Sequence, residues 1–256
     1  MLSRAVVRPP SVNFANGLTS VELGMPVYGR ALEQHEAYCA ALTQCGLKLT
    51  RLEAEERYPD STFVEDTAVV TERCAILTRP GTPSRVGEVA GVKAVLAEFY
   101  SELASLCEPG RLDGGDICEA ENHFFIGISG RTNAAGAQQL AELLASFNYT
   151  SSFVDIREVD GILHLKSGVA YLGDKRMVVI EALRNREEFR GYELVRVQAG
   201  EEYAANCVMV NDHVLVAAGY PALEKTLREL GYQTIALEMT EFQKMDGGLS
   251  CLSLRF

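Results

Sequence analysis

Four times along the chain a short apolar run meets two polar residues and then a second apolar run, which commits those stretches to β-hairpins. The first runs are Phe63–Val70, Asp116–Ala120, Gly168–Leu172 and Asn206–Val210. The turns are Thr71-Glu72, Glu121-Asn122, Gly173-Asp174 and Asn211-Asp212. The second runs are Arg73–Arg79, His123–Ser129, Lys175–Glu181 and His213–Ala218. Successive turns start 50, 52 and 38 residues apart, room for a hairpin plus a helix in each unit.

Helical periodicity follows most hairpins. Val86, Val89, Val92, Leu96, Phe99 and Leu103 recur at three or four after the first. Leu140, Leu143, Leu144 and Phe147 do so after the second, with Asn133 as N-cap, and Leu223, Leu227 and Leu230 run to Gly231 after the fourth. The third unit, RNREEFRGYE, carries no clear helix. An early helix around Ala31–Cys45 follows a lone strand, Ala5–Arg8, and GGLSCLSLRF closes the chain with another. These two orphan strands read as the second and first halves of a fifth hairpin. Two architectures accommodate them: a closed ring with no exposed sheet edges at the join, or an open α/β sheet with two edge strands. No linker divides the 256 residues, so a single catalytic domain over 1–256 is expected.

Composition narrows the partners. Lys plus Arg number 24 against 35 for Asp plus Glu, a net charge of −11, which disfavours nucleic acid and anionic membrane surfaces. MLSRAVVRPP lacks the apolar core of a secretory signal, and seven cysteines without a CxxC suit free thiols, so a cytoplasmic protein is expected. The four histidines fall in no metal-binding pattern; no metal and no cofactor is expected.

Polar residues recur at one place in the units. Asp66, Asp116 and Asn206 each precede their turn by five residues, with Glu65, Asp113 and His164 nearby and Asp246 and Cys251 in the last half-unit. Around an axis these would converge on a central pocket for a small molecule. Most cysteines fit core positions, but Cys251 follows Asp-Gly-Gly-Leu-Ser, where glycines permit close approach to a ligand. Asp113 and Asp116 also suit turn fixation, and His164 a structural role. Glu65-Asp66 lies inside the apolar strand FVEDTAVV, where two carboxylates need a partner; a cationic substrate is one.

FVEDTAVV, ILTRPGTPSR, LDGGDI, FFIGISGRTNAAGAQQL, LHLKSG, YAANCV and DGGLSCLSL together resemble the dimethylarginine dimethylaminohydrolases of the guanidino-modifying superfamily, from about Arg8 to the C-terminus. The resemblance implies a five-module α/β propeller with pseudo-fivefold symmetry, closed by pairing of the terminal strands. It implies Cys251 as nucleophile, His164 as general acid and base, and Asp113 as the residue orienting it. Glu65 and Asp66 would hold the guanidinium. Asp60, the Leu18 carbonyl and the Met245 backbone would hold the α-amino end, and Arg85 and Arg131 the carboxylate. The implied reaction hydrolyses methylated arginine to citrulline and an amine through a covalent thiouronium. A homodimer is left open. Three rivals are a related guanidine hydrolase resembling arginine deiminase, a cysteine-dependent acyl hydrolase, and an inactive binding module for basic amino acids. Paired carboxylates disfavour the acyl hydrolase; intact Cys251 and His164 disfavour the inactive module.

Overall fold

In a computed structural model describing residues 1–256, fifteen strands form five separate three-stranded sheets. The strands are β1 (Arg4–Val7), β2 (Lys48–Arg51), β3 (Ala68–Val70), β4 (Ala75–Leu77), β5 (Leu103–Ser105), β6 (Ile117–Ala120), β7 (His123–Ile128) and β8 (Thr150–Asp155). There follow β9 (Val169–Tyr171), β10 (Arg176–Val179), β11 (Glu193–Arg196), β12 (Val208–Val210), β13 (His213–Ala217), β14 (Gln233–Leu237) and β15 (Ser253–Arg255). Every module repeats one plan. Its first two strands pair antiparallel, and a third returns parallel to the second. A parallel neighbour needs a crossover, which four helices supply: α1 (Tyr28–Gln44), α2 (Val89–Leu96), α3 (Ala134–Ser146) and α4 (Pro221–Glu229). The third module crosses instead through 3₁₀ turns at Glu181–Leu183 and Glu187–Phe189, in keeping with its charged sequence.

The terminal strands complete the fifth module. β15 pairs antiparallel with β1 in the register Ala5↔Arg255, Val6↔Leu254 and Val7↔Ser253. First strands then stand side by side around the axis, β15 against β3, β6 against β9, and β9 against β12. The fold is a five-module α/β propeller, and the open-sheet alternative is excluded. Apolar side chains pack between modules, not on the axis. One cluster, for example, joins Ala5, Val7 and Leu42 to Val208, Leu215 and Leu237 from the neighbouring module. Polar groups gather at one end of the axis.

Several sequence expectations need correction. The first hairpin turns over Thr71–Cys74, because the Thr71 hydroxyl accepts from the amides of Arg73 and Cys74 and adds two residues to the loop. The third turns over Gly173, Asp174 and Lys175, all at positive φ, so Lys175 leaves the strand. Glu121-Asn122 and Asn211-Asp212 are two-residue turns as expected. Leu103 lies in β5, beyond the end of α2. Phe63–Thr67 is not strand: Val64–Thr67 forms a 3₁₀ turn ahead of β3.

Val6 is wholly buried in the ring-closing sheet, in one cluster with Leu254, Val64 and Leu77. Val6→Ala should lower unfolding free energy by ~2 kcal/mol, the transfer and cavity cost of two methyl groups. Leu230→Ala, at an exposed position, should change it by no more than ~0.5 kcal/mol. Equal urea midpoints for the two variants would mean that the join contributes little.

Candidate active site

A 3₁₀ turn precedes the first strand of every module, at Val64–Thr67, Gly114–Asp116, Leu165–Ser167, Glu202–Ala205 and Ser250–Leu252. Glu65, Asp66, Asp116 and Cys251 lie within these turns, Asp113 and His164 cap two of them, and Asn206 ends another. Fivefold repetition thus brings chemically distinct side chains to one end of the axis. The glycines permit the crowding. A Cβ on Gly114 would stand 2.0 Å from the Glu65 carbonyl oxygen, and one on Gly115 would stand 2.6 Å from His164 Nδ1. Gly247 and Gly248 also permit close packing, since a Cβ there would meet the Phe63 ring at 2.3 Å and Asn206 Oδ1 at 2.4 Å, and Gly247 lines the cavity beside Cys251.

His164 Nε2 lies 3.0 Å from Asp113 Oδ2, and the Gly81 amide donates to Asp113 Oδ1 at 2.7 Å. Burial opposes charge on His164, but Asp66, the Asp113 bond and Asp116 together raise its pKa to about 9. Burial likewise opposes charge on Asp113, and the His164 bond overrides it, holding Asp113 at about 2. At neutral pH this is an imidazolium–carboxylate pair. The Cys251 thiol is pushed the other way, up to about 12, by burial and then by Glu65 and Asp66. One pocket therefore holds a protonated thiol and an imidazolium. Alkylation by iodoacetamide, which needs the thiolate, should rise about tenfold per pH unit from pH 7 to 9 in the free protein. A plateau near pH 7 in that rate profile would contradict the raised thiol pKa.

Asp66 accepts from the Gly115 amide at 2.9 Å and from Arg85 Nη1 at 2.6 Å. Arg85 is buried, with Nε and Nη2 on Glu88 and Nη2 also on the Phe63 carbonyl at 3.1 Å. Arg131 is partly buried and bonds Thr82. Neither arginine has the solvated surface setting usual for its type. Leu18 donates its amide to Asp60 Oδ1 at 3.0 Å, and Met245 is buried beside Gly17. Asp116 accepts from Ser129, Thr132 and the Leu165 amide, so it ties the His164 turn to the second module.

Cys251, His164, Asp66, Arg85, Arg131, Leu18, Asp60 and Met245 line one narrow cavity of about 20 Å³. Asp113 stands behind His164. Glu65 is in the same ring of turns but faces away, with Oε1 2.5 Å from Lys166 Nζ and Oε2 accepting from Ser250 at 2.7 Å. Phe63 and Leu163 also line the cavity and were not anticipated as site residues, nor was Glu88; Asp246 and Gly247, from the stretch before Cys251, line it as well. Asp246 was visible only as a polar residue of the last half-module, and Glu88 had no sequence signal. At one side of the cavity the chain is held by Leu18 on Asp60, Thr19 on the Lys244 carbonyl and Ser20 on Asp246. Asp66, Asp113 and His164 lie within 4.8 Å of one another, a spacing that suits a metal, but protein donors already occupy both carboxylates.

No protein-family model matches the chain. It is 42% identical to the N(G),N(G)-dimethylarginine dimethylaminohydrolase of Pseudomonas aeruginosa, over 100% of both chains. The chain belongs to the dimethylarginine dimethylaminohydrolase family. The Streptomyces coelicolor member is 37% identical over 98% of this chain and 96% of that one. The solved structure of a cysteine-to-serine mutant of the Pseudomonas aeruginosa protein, complexed with citrulline, superposes with TM-score 0.97 at 40% identity over the whole of both chains. The N-terminal domain of ArgZ, a cyanobacterial arginine dihydrolase, shares the fold at TM-score 0.87 and 20% identity, covering 98% of this chain and 96% of that one. Within a dimethylarginine dimethylaminohydrolase scaffold the cluster of thiol, imidazolium and carboxylate is the candidate reaction centre.

Proposed function

We propose that this protein hydrolyses Nω-methylated arginines to citrulline and methylamine or dimethylamine. Carrying the reading is the convergence of Cys251, protonated His164 and Asp66 on one pocket, in a chain that matches a dimethylarginine dimethylaminohydrolase from end to end. A guanidinium is stabilised by resonance and resists attack until it is held and met by a strong nucleophile. Asp66 lines the pocket and, although its carboxylate already accepts from Arg85 and the Gly115 amide, it adds to the negative field at the thiol. Glu65, paired with Lys166, contributes to that field from behind the turn.

Arrival of the substrate cation offsets the carboxylates that keep Cys251 protonated, so the thiol releases its proton to solvent and the thiolate forms where it is needed. Thiolate attack on the guanidinium carbon forms a C–S bond and a tetrahedral adduct. His164, already an imidazolium, gives its proton to the methylated nitrogen as the C–N bond breaks, and the amine leaves. The neutral imidazole then takes a proton from water, whose oxygen attacks the thiouronium carbon and expels the thiolate as citrulline forms. Asp113 holds the ring for both steps. No redox change occurs.

Every residue of this scheme comes from one chain, so a homodimer is not required for the chemistry. Residues 1–256 act as one catalytic domain, since the ring joins both ends. No helix is long and apolar enough to cross a membrane, and seven free cysteines fit a cytoplasmic setting.

Coupled citrulline and amine assays on asymmetric dimethylarginine, monomethylarginine, arginine and agmatine test the reading. Methylated arginines should be turned over best; a preference for arginine would favour the deiminase-like rival. Agmatine lacks the carboxylate assigned here to Arg131, and should lose ~10²-fold in kcat/KM for one charge-assisted contact. Arg131→Ala should narrow that gap. Equal kcat/KM for agmatine and monomethylarginine would remove Arg131 from carboxylate recognition.

A further inference from the structure

On the hairpin-turn side of the ring the first strands enclose a second cavity, of about 640 Å³, far larger than the catalytic pocket. The two are separated by the turns that carry Glu65 and Ser250. Its floor is unevenly charged. Lys166 Nζ lies 2.5 Å and Arg255 Nη2 3.5 Å from the same oxygen of Glu65, whose other oxygen accepts from Ser250. Two cations share one carboxylate oxygen, so Glu65 alone does not neutralise them. Both side chains are mostly buried, so water screens their charge weakly.

Glu119, on β6, lines the same cavity and has no hydrogen-bond or ion-pair partner. Glu119 is an exposed position of the strand that opens onto the cavity, where burial and Glu72 push its carboxyl up to about 7 against the pull of Lys166 and Arg255. An unpartnered carboxylate thus shares a chamber with an incompletely neutralised pair of cations. A simple anion would be repelled by Glu119, and a simple cation by Lys166 and Arg255. A ligand carrying both charges satisfies both poles. Val70, Tyr171 and Met209 add apolar wall for a side chain.

We propose that this rear cavity is a binding site for a free α-amino acid, with its carboxylate on Lys166 and Arg255 and its ammonium on Glu119. None of these three residues lines the catalytic pocket. The site stands apart from the reaction proposed above and does not depend on it.

The chain has no tryptophan, so Met209→Trp places a single fluorophore on the cavity wall. Titration with L-alanine should give a saturable change in emission. Adding Glu119→Gln should weaken that binding about tenfold or more, the loss of one charge-assisted contact. Glu119→Gln alone should leave kcat/KM for monomethylarginine unchanged. Acetate and methylamine, each with a single pole, should bind about tenfold more weakly than alanine or worse. Because tryptophan could fill the space, saturation-transfer NMR with L-alanine on the unsubstituted protein and on Glu119→Gln provides a second reading. Absence of saturable binding by NMR, acetate binding as well as alanine, or affinity indifferent to Glu119→Gln would overturn the proposal.

Discussion

Cys251→Ser is expected to lower turnover of monomethylarginine at least ~10³-fold, about 4 kcal/mol of barrier. The Cys251 thiol is already pushed up to about 12, and a serine hydroxyl in its place is harder still to ionise. Substrate charge that suffices to release a proton from sulfur will not release one from oxygen. The substitution barely changes volume, and the turn is held by backbone and neighbours, including the Ser250 amide on Asn206 Oδ1 at 2.9 Å. Binding should therefore survive. Single-turnover kinetics alongside calorimetric titration with citrulline separates the two effects. Turnover within tenfold of the parent would exclude Cys251 as nucleophile.

Arg85→Ala is expected to destabilise the fold by ~3–5 kcal/mol, the cost of breaking a buried ion pair and stranding its partners. Arg85 bridges Asp66 and Glu88, both almost without exposure, and also binds the Phe63 carbonyl. Burial pushes the Glu88 carboxyl up to about 7 even with Arg85 present; without it Glu88 would take up a proton or unfold its surroundings. The family resemblance assigns Arg85 to the substrate carboxylate, and its position on the pocket wall is compatible with that. Its hydrogen bonds, however, make it first a strut for Asp66. Denaturant midpoints and KM measured on one preparation distinguish the roles. A variant as stable as the parent with only a raised KM would mean that Arg85 acts as a substrate clamp and not as a strut.

Hairpins and helices were legible because their signals are local. Glu121-Asn122 and Asn211-Asp212 read as tight turns, Asn133 caps α3 through a side-chain bond to the Gly136 amide, and Gly46 and Gly231 end helices at positive φ. The third strand of each module was not legible. Segments such as Lys48–Arg51 and Glu193–Arg196 are short and half-exposed, and lack alternation, because each has only one neighbour to cover it.

The site divides along the same line. Residue types, their order and the family motifs singled out Cys251, His164, Asp113 and the pocket residues from the chain alone, because chemistry restricts which side chains can serve at a thiol-based centre. Orientation was decided by packing. Glu65 and Asp66 are adjacent in sequence, yet a 3₁₀ turn sends Asp66 to the catalytic pocket and Glu65 to Lys166 on the far side. Protonation was decided by packing too: burial and then the carboxylates beside it push the Cys251 thiol up to about 12, and the carboxylates around His164 overcome burial to raise it to about 9. Local sequence determined the modules and the chemical inventory of this protein. Only closure of the ring decided which charges face one another, because electrostatic coupling depends on distances in space that neighbouring residues along the chain do not set.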